Sequence, residues 1–135
     1  ATDTLAADDT PSGNGTVLVV EDDPFVRAYA VASVEELGYN VLAAVDGREA
    51  LATLAEDVVI DILFSDVVMP GGVNGLMLAK LAIEMRPSLK VLLTSGYGLE
   101  TLAARGHVTP GTVVLHKPYR RAELAQRLRE LEARD

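Results

Sequence analysis

Five side chains of the kinds that bind metal ions or phosphate are spread along the chain, each at the end of a short apolar run. They are Glu21, Asp22, Asp66, Thr94 and Lys117. Three carboxylates held close together repel one another and raise their pKa values, and a hard divalent cation such as Mg²⁺ relieves that repulsion. A hydroxyl and an ammonium group beside them would bind the oxygens of a phosphoryl group. These residue types therefore predict phosphoryl chemistry if the fold brings them together.

The central residue of this set, Asp66, has two possible roles. It stands just before a Pro-Gly-Gly turn, where an aspartate often does no more than cap the turn. Beside other acids, a hydroxyl and a lysine, it would instead act as a nucleophile that takes a phosphoryl group and becomes an aspartyl phosphate. We expect the second role, because the complementary groups also stand at strand ends.

The elements that must position these side chains follow a regular alternation. Apolar runs predict five buried strands, at 17–20, 41–45, 62–64, 91–93 and 113–115. Helical patterns follow each strand, so we expect an α/β fold with a parallel sheet and helices on both faces. We expect Val26 and Met85 on the buried faces of the first and third helices. Ligands bind outside the carboxyl ends of such strands, so the five side chains should meet at one edge of the sheet.

Size and composition limit the function classes. With 135 residues, 49% of them hydrophobic, the chain should form one globular domain at 16–135, preceded by a flexible acidic linker at 1–15. The net charge of −8 disfavours a nucleic-acid partner, and the absence of cysteine excludes disulfides. The apolar runs are too short to cross a membrane and no secretion signal is recognisable, so we expect a cytoplasmic protein without direct membrane contact.

At the level of motifs the sequence resembles the receiver domain of two-component response regulators. The matching stretches are Val19-Val20-Glu21-Asp22, Phe64-Ser65-Asp66 with Met69-Pro70, Leu93-Thr94-Ser95 and Lys117-Pro118-Tyr119. The resemblance implies a flavodoxin-like (βα)5 fold, with a doubly wound five-stranded parallel sheet in the order 2-1-3-4-5.

The same resemblance assigns roles to single positions. Asp66 is similar to the phosphoacceptor of the family and Asp22 to its direct Mg²⁺ ligand. Glu21 would act on the ion through water, and the backbone carbonyl of Val68 would complete the protein ligands. The residues implied to contact the phosphoryl group are Thr94 and Lys117, with a cis peptide bond between Lys117 and Pro118.

Three departures from the family pattern are visible, and one of them is a loop after Pro70 that is one residue longer than in many receivers. Many receivers carry an aromatic switch residue three positions before the lysine, and this chain has Val114 there, so we do not expect an aromatic swing coupled to Thr94. Glycines and Pro110 interrupt the stretch between Tyr97 and Thr112. We therefore expect the fourth helix to be short or disordered, and this region to be the most mobile part of the domain.

The function favoured by these residues is phosphoacceptance on Asp66 from the phosphohistidine of a histidine kinase or histidine phosphotransfer domain. The segments 65–72 and 92–97 are similar to the C-terminal receivers of hybrid sensor histidine kinases. A stand-alone single-domain response regulator stays open, as does an Asp-nucleophile phosphatase, although that class needs a second acid where Val68 stands. We expect Phe25 to dock the partner. We expect this chain to be a monomer or a weak dimer. We expect no stand-alone enzyme activity beyond self-phosphorylation and self-dephosphorylation at Asp66.

Overall fold

Five strands alternate with five helices in the structure, a computed structural model that describes residues 15–97, 99–105 and 108–134. The elements are β1 (Thr16–Val20), α1 (Pro24–Glu36), β2 (Asn40–Ala44), α2 (Gly47–Leu54), β3 (Ile62–Asp66), α3 (Gly75–Met85), β4 (Lys90–Ser95), α4 (Leu99–Arg105), β5 (Val113–His116) and α5 (Arg121–Glu132). The predicted linker lies outside the described residues except for Gly15.

All strand pairs are parallel, and the sheet order is β2-β1-β3-β4-β5. This order confirms the expected flavodoxin-like architecture. The fold brings the central strands β1 and β3 side by side, with Val20 of β1 in register with Ser65 of β3. The side chains that follow these two positions therefore leave the sheet close together.

Two apolar layers hold the sheet between its helices. Alternate residues of a strand point to opposite faces, so Val17 and Val19 of β1 pack with α1 and α5 while Leu18 and Val20 pack with α2, α3 and α4. Burial on both faces explains why the strands are unbroken apolar runs rather than alternating ones. It also leaves the strand ends as the place where polar side chains can gather.

Side-chain caps fix where the helices begin. Asp23 accepts hydrogen bonds from the N–H groups of Phe25 and Val26 at the start of α1. Asp46 caps α2 and Asn74 caps α3 in the same way. Each cap satisfies N–H groups that have no partner within the helix, and so sets the loop length between strand end and helix start.

Two predicted core positions are wrong. Val26 and Met85, both expected on buried helix faces, expose 38% and 42% of their surfaces. Each lies in the first or last turn of its helix, so its side chain has neighbouring helix residues on one side only and is more open to solvent. The prediction of a short fourth helix is confirmed, since α4 has seven residues.

Candidate functional site

Three carboxylates meet where β1 and β3 end. One oxygen each from Glu21, Asp22 and Asp66 lie within 4.8 Å of one another. Glu21 is buried, Asp66 is partly buried and Asp22 is exposed, so the group opens toward solvent on one side. The acidic cluster predicted from two separate motifs is therefore present.

The predicted lysine lies against this cluster. Lys117 Nζ is 3.2 Å from Asp66 Oδ2 and 3.8 Å from Glu21 Oε1. Its backbone is fixed at the end of β5, where the Lys117 N–H donates to the Ser95 carbonyl at 2.7 Å. The peptide bond from Lys117 to Pro118 is cis, as the resemblance implied.

Thr94 is the fifth of the predicted residues, and it lies on β4, between the strands that carry Asp66 and precede Lys117. It stands in register with Asp66 on β3 and with Leu115 on β5. Thr94 is buried, and its carbonyl accepts a hydrogen bond of 3.0 Å from the Val67 N–H, which holds the backbone just after Asp66. The structure thus brings together all five residues that the sequence singled out for chemistry.

The start of α3 lies close to the backbone at the end of β3. The Gly75 N–H donates to the Val67 carbonyl at 2.7 Å, and a Cβ at Gly75 would lie only 2.7 Å from Val67 Cα. Glycine is therefore needed at position 75 because a side chain would not fit, and not because of its backbone angles. Within the loop after Asp66 the side chain of Val68 is 65% exposed, and the role of its carbonyl as a ligand stays a prediction.

Burial and mutual repulsion set the electrostatics of the acidic cluster. Burial raises the pKa of Glu21, and the negative charge of Asp66 raises that pKa further. The Asp23 N–H and the Lys117 ammonium offset part of this effect. The three carboxylates thus place several oxygen donors close together beside a single ammonium group, and oxygen donors of this kind are the ligands that Mg²⁺ prefers.

An apolar groove adjoins the rim of the site. It is lined by Val26, Tyr29, Lys117, Pro118 and Tyr119. Phe25, at the start of α1, is 84% exposed, as the expected docking role requires, and it follows the acidic turn formed by residues 21–23.

The groove brings together Tyr29 of α1 and Tyr119, which follows the Lys117-Pro118 motif, and the sequence did not predict that these two side chains line one groove. The Tyr119 ring packs edge-on against Phe64, with centroids 6.3 Å apart. Burial, with the neighbouring Tyr29 and acidic groups, raises the pKa of Tyr119 to about 12, so the phenol stays neutral at physiological pH. The sequence signals for the groove were the aromatic residue following Lys117-Pro118 and the apolar and aromatic residues at the start of α1.

Comparison with known proteins identifies the architecture that carries this site. A family model described as the response regulator receiver domain matches residues 17–129. The chain belongs to the response regulator receiver domain family. Receiver domains act in two-component signalling, where they interact with histidine kinases or phosphotransfer proteins, and they generally bind Mg²⁺.

Individual relatives differ in size. Sensor kinase CckA of Brucella abortus is 36% identical over 121 residues, which are 89% of this chain but 13% of that protein. The response regulator receiver protein CpdR of the same species is 30% identical over 115 residues, 85% of this chain and 94% of that protein. The solved receiver domain from the hybrid histidine kinase CckA shares 36% identity and a TM-score of 0.73, over 87% of this chain and 98% of that one.

The receiver is thus similar both to a small part of a large kinase and to a protein of about its own size. None of the helices that the structure describes combines the length and the apolar character needed to cross a bilayer.

Proposed function

We propose that this receiver accepts a phosphoryl group on Asp66 from a phosphohistidine, in a reaction that depends on Mg²⁺. The proposal rests on one observation, which is that a lysine, two acids and a threonine surround the carboxylate of Asp66. Asp66 has Lys117 Nζ at 3.2 Å, two further carboxylates within 4.8 Å and Thr94 in register on the neighbouring strand. A residue that only capped a turn would not need these neighbours.

The transfer forms one bond and breaks one. A carboxylate oxygen of Asp66 attacks the phosphorus of the donor imidazole, and the new O–P bond forms as the P–N bond breaks. The imidazole nitrogen keeps the electron pair of the broken bond and binds a proton, which leaves a neutral histidine. Asp66 is suited to this role because it ends a rigid buried strand, which fixes the attacking atom in place.

The acidic cluster fits Mg²⁺ by its donor chemistry. Asp22 and Asp66 would hold the ion directly, the Val68 carbonyl would add a third ligand, and Glu21 would act through water. When bound, the ion neutralises charge on the phosphoryl oxygens and on the carboxylates that surround them.

Lys117 and Thr94 bind the phosphoryl group from the other side. The ammonium of Lys117, now paired with Asp66 and Glu21, is close enough to transfer its contact to a phosphoryl oxygen once Asp66 is esterified. The Thr94 hydroxyl would donate a hydrogen bond to another oxygen.

The parent protein is proposed to be a hybrid histidine kinase. The similarity to CckA, both as a sequence and as a solved receiver, supports this origin. The similarity to CpdR over nearly its whole length supports a stand-alone receiver as the second candidate. A cytoplasmic location and a monomeric or weakly dimeric state are parts of the same proposal. A phosphatase is not favoured, because Val68 stands where such an enzyme needs its second acid.

The phosphohistidine is proposed to arrive over the groove beside α1. Phe25, Val26 and Tyr29 give the start of this helix an exposed apolar surface next to the acidic cluster. Exposed aromatic residues near a reactive rim are suited to anchoring a partner helix.

Intact-mass spectrometry with acetyl phosphate and Mg²⁺ tests the phosphoacceptor. The parent should gain the mass of one phosphoryl group, and Asp66→Asn should gain none. Asp57→Asn removes an exposed carboxylate from the loop after α2 and should be labelled like the parent. Labelling of Asp66→Asn at the parental rate would refute the assignment.

A further inference from the structure

The side chain of Arg27 reaches from α1 to the backbone of the acidic turn at residues 21–23. Arg27 lies on α1 and is half-buried. Its Nη1 donates to the Glu21 carbonyl at 2.9 Å and, at a longer 3.4 Å, to the Asp22 carbonyl. The guanidinium therefore binds the backbone of the two residues that supply two of the three carboxylates in the acidic cluster.

Other hydrogen bonds hold the same turn. The Asp23 side chain accepts from two N–H groups at the start of α1, and the Asp23 N–H donates to Glu21 Oε2 at 3.2 Å. The Glu21 N–H donates to the Ala44 carbonyl of β2 at 3.2 Å. These contacts hold Glu21 and Asp23 on either side of Asp22, and the carbonyl of Asp22 itself is held by Arg27.

We propose that Arg27 is a positioning residue, which holds the Glu21–Asp22 backbone so that the Asp22 carboxylate stays directed toward Asp66 for Mg²⁺ binding. It acts through backbone carbonyls and touches neither the ion nor the phosphoryl group. The inference rests on the proposed Mg²⁺ site and deepens it.

Coulomb's law alone gives the opposite expectation. A guanidinium beside a cation site repels the cation, so removing the charge would strengthen Mg²⁺ binding. Positioning predicts weaker binding, because a turn that is free to move holds Asp22 near Asp66 for only part of the time. The sign of the change therefore distinguishes the two effects of Arg27.

The test measures Mg²⁺ affinity by calorimetric titration and by the rise in melting temperature that the ion causes. Arg27→Gln is expected to bind Mg²⁺ about tenfold more weakly than the parent, a loss typical of residues that orient metal ligands. Arg27→Lys keeps one donor nitrogen and the charge, so its Mg²⁺ affinity should lie between those of the parent and Arg27→Gln. Arg48→Gln removes the same charge from an exposed position on α2 and should bind Mg²⁺ at least as well as the parent.

A kinetic measurement separates positioning from general damage. At saturating Mg²⁺, Arg27→Gln should be labelled by acetyl phosphate at nearly the parental rate, while at low Mg²⁺ it should lag. A rate that stays low at saturating Mg²⁺ would overturn the proposal. If the glutamine variant does not fold, Arg27→Met keeps the aliphatic stem and carries the same expectations.

The remaining outcomes separate this inference from the proposed function. Asp22→Ala should abolish the Mg²⁺-dependent rise in melting temperature. If Mg²⁺ raises the melting temperature of Asp22→Ala as much as that of the parent, the assignment of the Mg²⁺ site is wrong, and the inference about Arg27 is wrong as well. If the parent binds Mg²⁺ and Arg27→Gln binds it equally or more tightly, the site stands and only the positioning role is overturned.

Discussion

Lys117 Nζ lies 3.2 Å from Asp66 Oδ2, although β5 and β3 are separated in the sheet by β4. The lysine therefore reaches across the end of the strand that carries Thr94. In the unphosphorylated receiver its ammonium is paired with the proposed nucleophile, and its side chain is still 32% exposed. This contact is what a phosphoryl group on Asp66 must displace.

Removing this ammonium should slow phosphorylation. A hydrogen bond to a charged group contributes about 1.5–3 kcal/mol, so Lys117→Met should be labelled by acetyl phosphate roughly tenfold to a hundredfold more slowly than the parent. Initial rates at saturating Mg²⁺ measure the effect. Lys80→Met, on the exposed side of α3, is the matched control and should keep the parental rate. Equal rates for both variants would remove Lys117 from the reaction.

The buried acid Glu21 should make stability depend on pH. Burial raises the pKa of Glu21, so the folded protein binds this proton more tightly than the unfolded chain does. The corresponding stability is fully present below the unfolded pKa and is lost as pH rises through the folded pKa. Without Mg²⁺, the neutral Glu21→Gln should therefore melt at a higher temperature than the parent at neutral pH, with a smaller difference in mild acid.

Thermal unfolding at several pH values in the presence of a chelator checks this prediction. Glu84→Gln removes an exposed carboxylate from α3 and should leave the pH profile unchanged. A lower melting temperature for Glu21→Gln at neutral pH would show that the contacts of Glu21 with Lys117 and the Asp23 N–H outweigh its burial.

The stretch from Tyr97 to Thr112 should exchange its amide hydrogens faster than the other helices and strands. Among the described side chains of α4, Leu102 is buried, whereas Thr101, Ala103 and Ala104 are exposed. Few buried contacts therefore oppose local opening of this helix. Hydrogen exchange followed by mass spectrometry measures the rate by segment. Protection across Leu99–Arg105 as strong as that of α3 would contradict the expectation.

Phe25 should affect the rate of phosphotransfer from a protein donor but not the rate of labelling by acetyl phosphate. Phe25→Ala removes an exposed ring at the start of α1, directly before the groove residue Val26. Phosphotransfer from a phosphorylated histidine domain should therefore slow, while labelling by acetyl phosphate stays nearly intact. Met85→Ala, an exposed apolar residue at the end of α3, serves as the control. Equal losses with both donors would mean that the substitution damages the site or the fold, and the docking role would then be rejected.

The strand ends were predictable from the sequence because each buried strand is an apolar run that stops at a polar residue. Parallel order then places Glu21, Asp22, Asp66, Thr94 and Lys117 at one edge, as the structure has them. The weakest predictions concerned the termini of helices. The hydrophobic character of Val26 and Met85 suggested burial, but a side chain in the first or last turn of a helix has neighbouring helix residues on one side only.

The contacts of Arg27 and Tyr119 could not be predicted for a different reason. A guanidinium that turns back to backbone carbonyls leaves no pattern of residue types, because any carbonyl accepts such a bond. The packing of Tyr119 against Phe64 joins residues far apart in the sequence, and periodicity carries no information about it.

Site mapping of the phosphoryl group tests the central claim most directly. The parent receiver would be phosphorylated by a phosphohistidine domain in Mg²⁺ and reduced with borohydride, which converts an aspartyl phosphate into homoserine. Peptide mass spectrometry would then locate the change. The account predicts homoserine at Asp66 and at no other position, whereas homoserine at Asp22 or another acid, with Asp66 intact, would contradict it.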